Sequence, residues 1–155
     1  MAVIANSNQY ATQTTINRTG ISSGVRCLYF EGATATADVG TINLIRLPPG
    51  RMRILPKLSG FLCADMDADA NISIGTAAYT ATNGATVVAD VDALKTLALV
   101  NTCVLANART IMQQPANGGL LVDSLDGVTI TATVVSANTV AANTFSGWIA
   151  YSYLG

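Results

Sequence analysis

The 155-residue sequence contains no histidine, and only 11% of its residues are charged and 6% aromatic. Each shortage excludes something. Without histidine there is no Ser-His-Asp or Cys-His nucleophile system, no His-ligated zinc and no His general base. A net charge of −1 and a pI near 5.0 argue against holding nucleic acid on a basic surface. No apolar run approaches the ~20 residues of a membrane-spanning helix. The opening Met1-Ala2-Val3-Ile4-Ala5-Asn6 lacks the basic region of a signal peptide and turns polar too soon for one. The three cysteines, Cys27, Cys63 and Cys103, are odd in number and widely spaced, with no C-x-x-C. They read as small buried apolar residues in a reducing compartment, not as a disulfide or metal set.

What remains is half apolar, carried by Ala, Val, Leu and Ile, with Thr, Asn and Ser as the polar share. An average protein is ~25% charged. A chain this poor in charge lacks the skin that keeps small domains apart, so part of its surface is expected to be covered by other subunits.

Residues 1–24 are rich in Asn, Gln, Thr, Ser and Ala, with isolated Ile4, Ile16 and Ile21. They read as an extended arm outside a core, or as a disordered tail. Fully stretched, the segment spans at most ~80 Å, enough to cross a neighbouring subunit. From Val25 onward short strands alternate with turn signals. Strands are expected over Val25–Glu31, Ile42–Leu47 and Asn71–Gly75. A longer one over Arg51–Cys63 is interrupted by Pro56 and Gly60. Asp90–Lys95 reads as one helical turn capped by an Asp, and Leu97–Leu105 as strand from its Val, Thr and Cys content.

The C-terminal third is the most regular. In Val128–Val134 apolar residues and Thr alternate strictly, which predicts an apolar face on a core and a Thr face in solvent. Asp126-Gly127 signals a hairpin turn. In the final strand, Phe145, Ile149, Tyr151 and Tyr153 share one face and Trp148, Ala150 and Leu154 the other. A strand apolar on both faces is expected to be buried on both, by its own fold or by a partner. Together these features predict an all-β chain. Residues 25–155 would form one antiparallel β-sandwich of about eight strands behind the 1–24 arm.

Candidate chemistry is thin. Asp65, Asp67 and Asp69 alternate as at the start of a calcium loop, but Ala70 and Thr76 stand where the loop needs Gly and Glu. Asp90 with Asp92, and Asp123 with Asp126, sit beside turn residues and read as solvated carboxylates rather than an acid–base pair. No catalytic residue, metal, cofactor or small-molecule substrate is expected. Charge is unevenly placed. Six cations face two anions up to residue 57, and two cations face seven aspartates beyond it. Either the basic part docks on an acidic neighbour, or the two parts neutralise each other within one sandwich.

Two blocks carry a resemblance. Gly60–Thr76, a strand running into an Asp-x-Asp turn and then a strand ending near Gly75, is similar to a motif of small virion proteins of tailed bacteriophages. Asp126–Thr133 followed by Gly147–Tyr151 resembles the C-terminal hairpin of the same proteins. The similarity spans residues 25–155, although 77–119 do not align and the arm is not included. It implies a jelly-roll decoration or cement protein, made in the host cytoplasm and bound as a trimer on the capsid surface against the major capsid protein. No site residue carries over, because such proteins work through surfaces. The candidate interface residues are Ile4, Ile16 and Ile21 on the arm and Trp148 and Leu154 on the last strand. Two alternatives stay open. One is a different virion component, such as a tail, fibre or shell-forming jelly roll. The other is a carbohydrate-binding sandwich, favoured if Trp148 lines an exposed groove.

Overall fold

The computed structural model describes residues 3–7, 24–33, 40–63, 71–99, 110–111, 119–135 and 144–154. Runs of Val, Ile, Thr and aromatic residues cut by Pro, Gly and Asp become strands. In chain order these are β1 (Val3–Asn6), β2 (Val25–Ala33), β3 (Gly40–Leu47), β4 (Gly50–Ile54), β5 (Gly60–Cys63), β6 (Asn71–Thr76), β7 (Tyr79–Thr80), β8 (Thr86–Val87), β9 (Asp90–Leu99), β10 (Thr110–Ile111), β11 (Leu120–Ser124), β12 (Val128–Val135) and β13 (Thr144–Tyr153).

One sheet is ordered β1-β3-β12-β6-β9. In the other, β13 stands at the centre. β2 pairs along it from Thr144 to Ser152, while on its opposite side β5 takes Phe145–Trp148 and β4 takes Tyr151–Tyr153. β4 and β5 therefore act as one interrupted strand, with β11 and β10 beyond them. Apart from β1, which lies parallel to β3 at the edge of the first sheet, and with the tandem pieces of the second counted once, each sheet has four antiparallel strands, and the chain passes back and forth between the sheets. This is the double Greek key of a jelly roll, a form of the antiparallel sandwich that the strand pattern predicts and the one the resemblance implies. The β7–β8 hairpin is inserted between β6 and β9.

The interruption has a local cause. Pro56 has no N–H to give a ladder, and the chain turns through a short 3-10 helix, Pro56–Leu58. The gap is closed by Ser59, which is fully buried. Its hydroxyl accepts from Ala150 N–H and donates to the Leu55 carbonyl, each at 2.9 Å. Leu55 N–H donates to the Ala150 carbonyl at 2.8 Å, so β13 keeps its hydrogen bonds across the break.

The core lies between the sheets. Ile42, Ile72, Ile74, Leu94 and Ile130 face Met52, Ile54, Phe61, Val122 and Ile149, all buried. Phe61 sits between Phe30 and Phe145, with ring centroids 6.3 and 6.4 Å away. Towards one end, the Arg26 guanidinium lies 5.3 Å from the Tyr153 ring centroid. Burial raises the Tyr151 pKa above its ordinary 10.0, and Tyr153 adds to the rise while Arg26 opposes it.

Five readings of the sequence change. Asp126-Gly127 is a turn but not a hairpin: β11 pairs with β4 and β12 with β3 and β6, so the turn crosses between sheets. Gly127 makes it possible with φ +95° and its backbone against the Leu47 carbonyl. Asp90–Lys95 is extended, not helical, as the start of β9. The Thr face of β12 is not in solvent, since Thr131 and Thr133 are 4% and 3% exposed. β9 carries irregular register against β6 between Ile74 and Thr76, and this bulge folds its backbone over Gly75, directly opposite Thr131. Cys27 is exposed, while Cys63's side chain and Cys103 lie outside the described residues. Finally, Val3–Asn6, read as part of an arm, is a strand parallel to β3. Ser7 beyond it is buried, its N–H on the Asn43 carbonyl at 2.9 Å and its hydroxyl on the Leu44 carbonyl.

Candidate assembly surface

Residues directly opposite in a ladder share a face. Since Phe145, Ile149 and Tyr151 point into the core, the outer face of the β13 sheet shows Ser146, Trp148, Ala150 and Ser152. Their register partners on β2 are Glu31, Tyr29, Cys27 and Val25. Leu62 of β5, Arg53 and Arg51 of β4, and Leu121 and Asp123 of β11 fall on the same side. Val25, Tyr29, Leu58 and Leu121 are exposed, Tyr29 at 68%. The apolar character that the sequence indicates on both faces of β13 is therefore met unevenly. One face is core, and on the other Ala150 is buried, Trp148 half-buried and Leu154 exposed.

Trp148 is held by its own chain. Its indole lies over Gly60, where an added methyl carbon would sit 2.7 Å from the ring. Its Nε1–H donates to the Leu58 carbonyl at 2.7 Å. Directly opposite it on β2 stands Tyr29. Between them a groove of about 290 Å³ is lined by Tyr29, Glu31, Leu62, Ser146, Gly147 and Trp148. A fixed indole and an exposed phenol present two π faces with a carboxylate and a hydroxyl beside them. Such a groove can take a flat apolar face or a cation. Arg51 and Arg53, on β4 next to β13, and Lys57, in the 3-10 turn beside Leu58, are exposed.

Of the interface residues expected from sequence, Trp148 and Leu154 lie on this sheet. Leu154 N–H reaches the Arg51 carbonyl at 3.1 Å. Ile4 is in β1, away from it, and Ile16 and Ile21 fall outside the described residues. Tyr29, Leu58, Leu121 and Arg53 are not among the interface residues that the sequence suggests. The signal for Tyr29 is present in Val25–Phe30, which is apolar at alternate positions on both faces just as β13 is. The aspartates offer little chemistry: Asp90, Asp92 and Asp126 are exposed, Asp123 is half-buried, and Asp65–Asp69 lie outside the described residues. Among the described residues no group of three or more Cys, Asp or Glu is placed to hold a metal, and no helix is long and apolar enough to cross a membrane.

No protein-family model and no curated protein sequence matches the chain. Among solved structures, it is similar to a chain in the capsid of Ralstonia phage GP4, with a TM-score of 0.71 and 15% identity over 99% of both chains. It is also similar to a chain in the capsid asymmetric unit of cyanophage Pam1, with a TM-score of 0.56 and 14% identity over 91% of this chain and 94% of that one. At such identities the likeness is one of fold, and it extends over nearly the whole chain in both.

Proposed function

We propose that the protein is a structural component of a bacteriophage virion, a decoration or cement protein on the outside of the capsid. One observation carries this reading: the fold matches, over 99% of both chains, a chain found in a phage capsid. The low charge, the exposed apolar residues on the β13 sheet and the sequence resemblance to small virion proteins support it. The mechanism is cementing rather than catalysis. Copies associate as trimers and bury surface against the major capsid protein, and because they bind the assembled shell better than its parts, occupancy stabilises the shell by mass action. Neither nucleic acid, membrane nor a small-molecule substrate enters this scheme.

The test is made on virions of the phage that encodes the protein. Mass spectrometry should find the chain in a fixed ratio to the major capsid protein, and surface biotinylation should label it on intact particles. Particles stripped of it should rupture at lower temperature and recover on adding it back. A chain missing from purified virions, or protected from surface labelling, overturns the decoration role. A second reading, saccharide binding, rests on the Tyr29–Trp148 groove. It requires glycan binding that Trp148→Ala abolishes.

A further inference from the structure

The β7–β8 hairpin carries Asn83-Gly84 at its tip. This pair has a chemistry of its own. The backbone nitrogen that follows an Asn can attack the side-chain amide carbon and close a succinimide ring. Glycine in the second place permits the approach best, because it has no Cβ to obstruct it and the freest backbone.

The fold exposes the pair and leaves it unhindered. Residues 82–86 are all exposed, and at Gly84 even an added methyl carbon would meet nothing within 4 Å. Within the closed turn both reacting groups are engaged. Gly84 N–H donates to the Ala81 carbonyl at 2.9 Å, and Asn83 Oδ1 accepts from Ala85 N–H at 3.0 Å. The second bond draws electron density from the amide carbon and favours attack on it. The first must break before Gly84 N can attack, so the turn has to open.

Opening is easy on one side of the hairpin. The two strands share the pairs Tyr79–Val87 and Thr80–Thr86, and so short a two-stranded ladder is marginal in water. β7 is also tied to β11: the Thr80 carbonyl accepts from Leu125 N–H at 2.8 Å, and Ala81 bridges to Ser124. Among the described residues β8 pairs with β7 alone. The tip and β8 can therefore lift while β7 stays in place, a local opening that leaves the sandwich intact.

We infer that Asn83 is a site of spontaneous deamidation in the folded protein, gated by opening of the β7–β8 hairpin. Gly84 N gives its proton to hydroxide and bonds to Asn83 Cγ. The Cγ–Nδ2 bond breaks, and the departing nitrogen takes a proton from water and leaves as ammonia. A second water then opens the succinimide. Attack at Cγ gives Asp, and attack at the Asn83 backbone carbonyl carbon gives isoaspartate, whose main chain runs through the former side chain. Nothing is oxidised or reduced. Either product adds a carboxylate to a segment that already exposes Asp90 and Asp92.

The test incubates the full chain at mildly alkaline pH, folded or in guanidinium, and maps its peptides by mass spectrometry. Mapping separates Asn83 from Asn117-Gly118, the other such pair in the sequence. The peptide holding Asn83 should gain the mass difference between OH and NH2 and split into Asp and isoaspartate forms. Conversion should be about tenfold slower in the folded chain than in guanidinium, the factor set by an opening cost of about 1.4 kcal/mol. Thr86→Gly weakens the hairpin at an exposed position and should speed conversion in the folded chain but not in guanidinium, with circular dichroism confirming an intact sandwich. If Asn83 stays unconverted in the folded chain, whatever happens in guanidinium, it is not such a site. If folded and unfolded chains convert alike, or Thr86→Gly leaves the folded rate unaltered, the hairpin is not the gate and the inference is refuted.

Discussion

Ser59→Ala is the sharpest test of how the interrupted strand is held. The hydroxyl is fully buried and makes two hydrogen bonds, accepting from Ala150 N–H and donating to the Leu55 carbonyl. The two losses are unequal. The Leu55 carbonyl keeps a second donor, Leu58 N–H at 3.0 Å, so it is not orphaned. Ala150 N–H lies in a buried residue at the middle of β13, and removing Oγ leaves it without that acceptor. An orphaned buried donor costs about 1–3 kcal/mol, and the lost bond to Leu55 adds up to ~1. The expected destabilisation is thus about 2–3 kcal/mol, or roughly 4–12 °C in Tm for a domain this size. Urea unfolding at fixed protein concentration, followed by fluorescence of the single tryptophan, measures it. The midpoint should fall with the slope unchanged. Ser152→Ala, on the half-exposed outer face of the same strand, should stay within ~0.5 kcal/mol of the parent. If Ser59→Ala behaves like Ser152→Ala, the hydroxyl does not bridge the break and the account of β4 and β5 as one strand fails.

Three further outcomes are expected. Gly75→Ala should destabilise by about 2–3 kcal/mol in the same assay, because its methyl would fall 1.9 Å from the Asp90 carbonyl and backbone cannot yield as a side chain can. A near-neutral result would mean that the β9 bulge does not rest on β6. Deleting residues 2–7 should lower the melting temperature by several degrees, since Ser7 gives two bonds to β3 and β1 covers that strand's edge. An unchanged value would return the whole segment to an assembly role alone. For pH, burial raises the Tyr151 pKa in the folded state, so the folded protein holds that proton more tightly than the unfolded chain. The associated stability is complete below pH ~10 and is lost as pH rises through the folded pKa. Tyr151→Phe should flatten the fall in urea midpoint between pH 9 and 11, and an unaltered fall would assign it to other groups.

Much of the fold was legible because it is written in local pattern. Strict alternation marks β12, Pro56 and Gly60 mark the break between β4 and β5, and two-faced apolarity marks β13. The failures share one physical origin, which is that local chemistry defines a turn or a strand but not what it packs against. Asp126-Gly127 favours a tight reversal whether the flanking strands pair with each other or enter different sheets. Thr131 and Thr133 alternate as solvent-facing residues do, yet are buried, Thr131 opposite the glycine over which a neighbouring strand's bulge folds, and nothing in their own segment announces it. Asp90 and Asp92 suit a helix cap, but the pairing of Thr76 with Asp90 makes the segment extended. The groove was the least legible feature, because the opposition of Tyr29 and Trp148 depends on the register of two strands far apart in the chain.

The central place of β13 also sets the order in which the domain can form. It is last in chain order among the described strands, yet it joins β2 to β4 and β5. Among the described residues β2 has no strand partner until residues 144–152 are available, although it is the first long strand made. Pairings this distant in sequence form slowly, because the intervening chain must be closed before any bond repays the lost freedom. Through that interval a segment apolar on both faces waits unpaired, the situation in which strands join the wrong neighbour. Arg26 and Glu31, one near each end of β2, are the kind of charge that discourages such joining. Replacing both with neutral residues should therefore reduce the yield on refolding from urea more than it reduces the stability of the molecules that do fold.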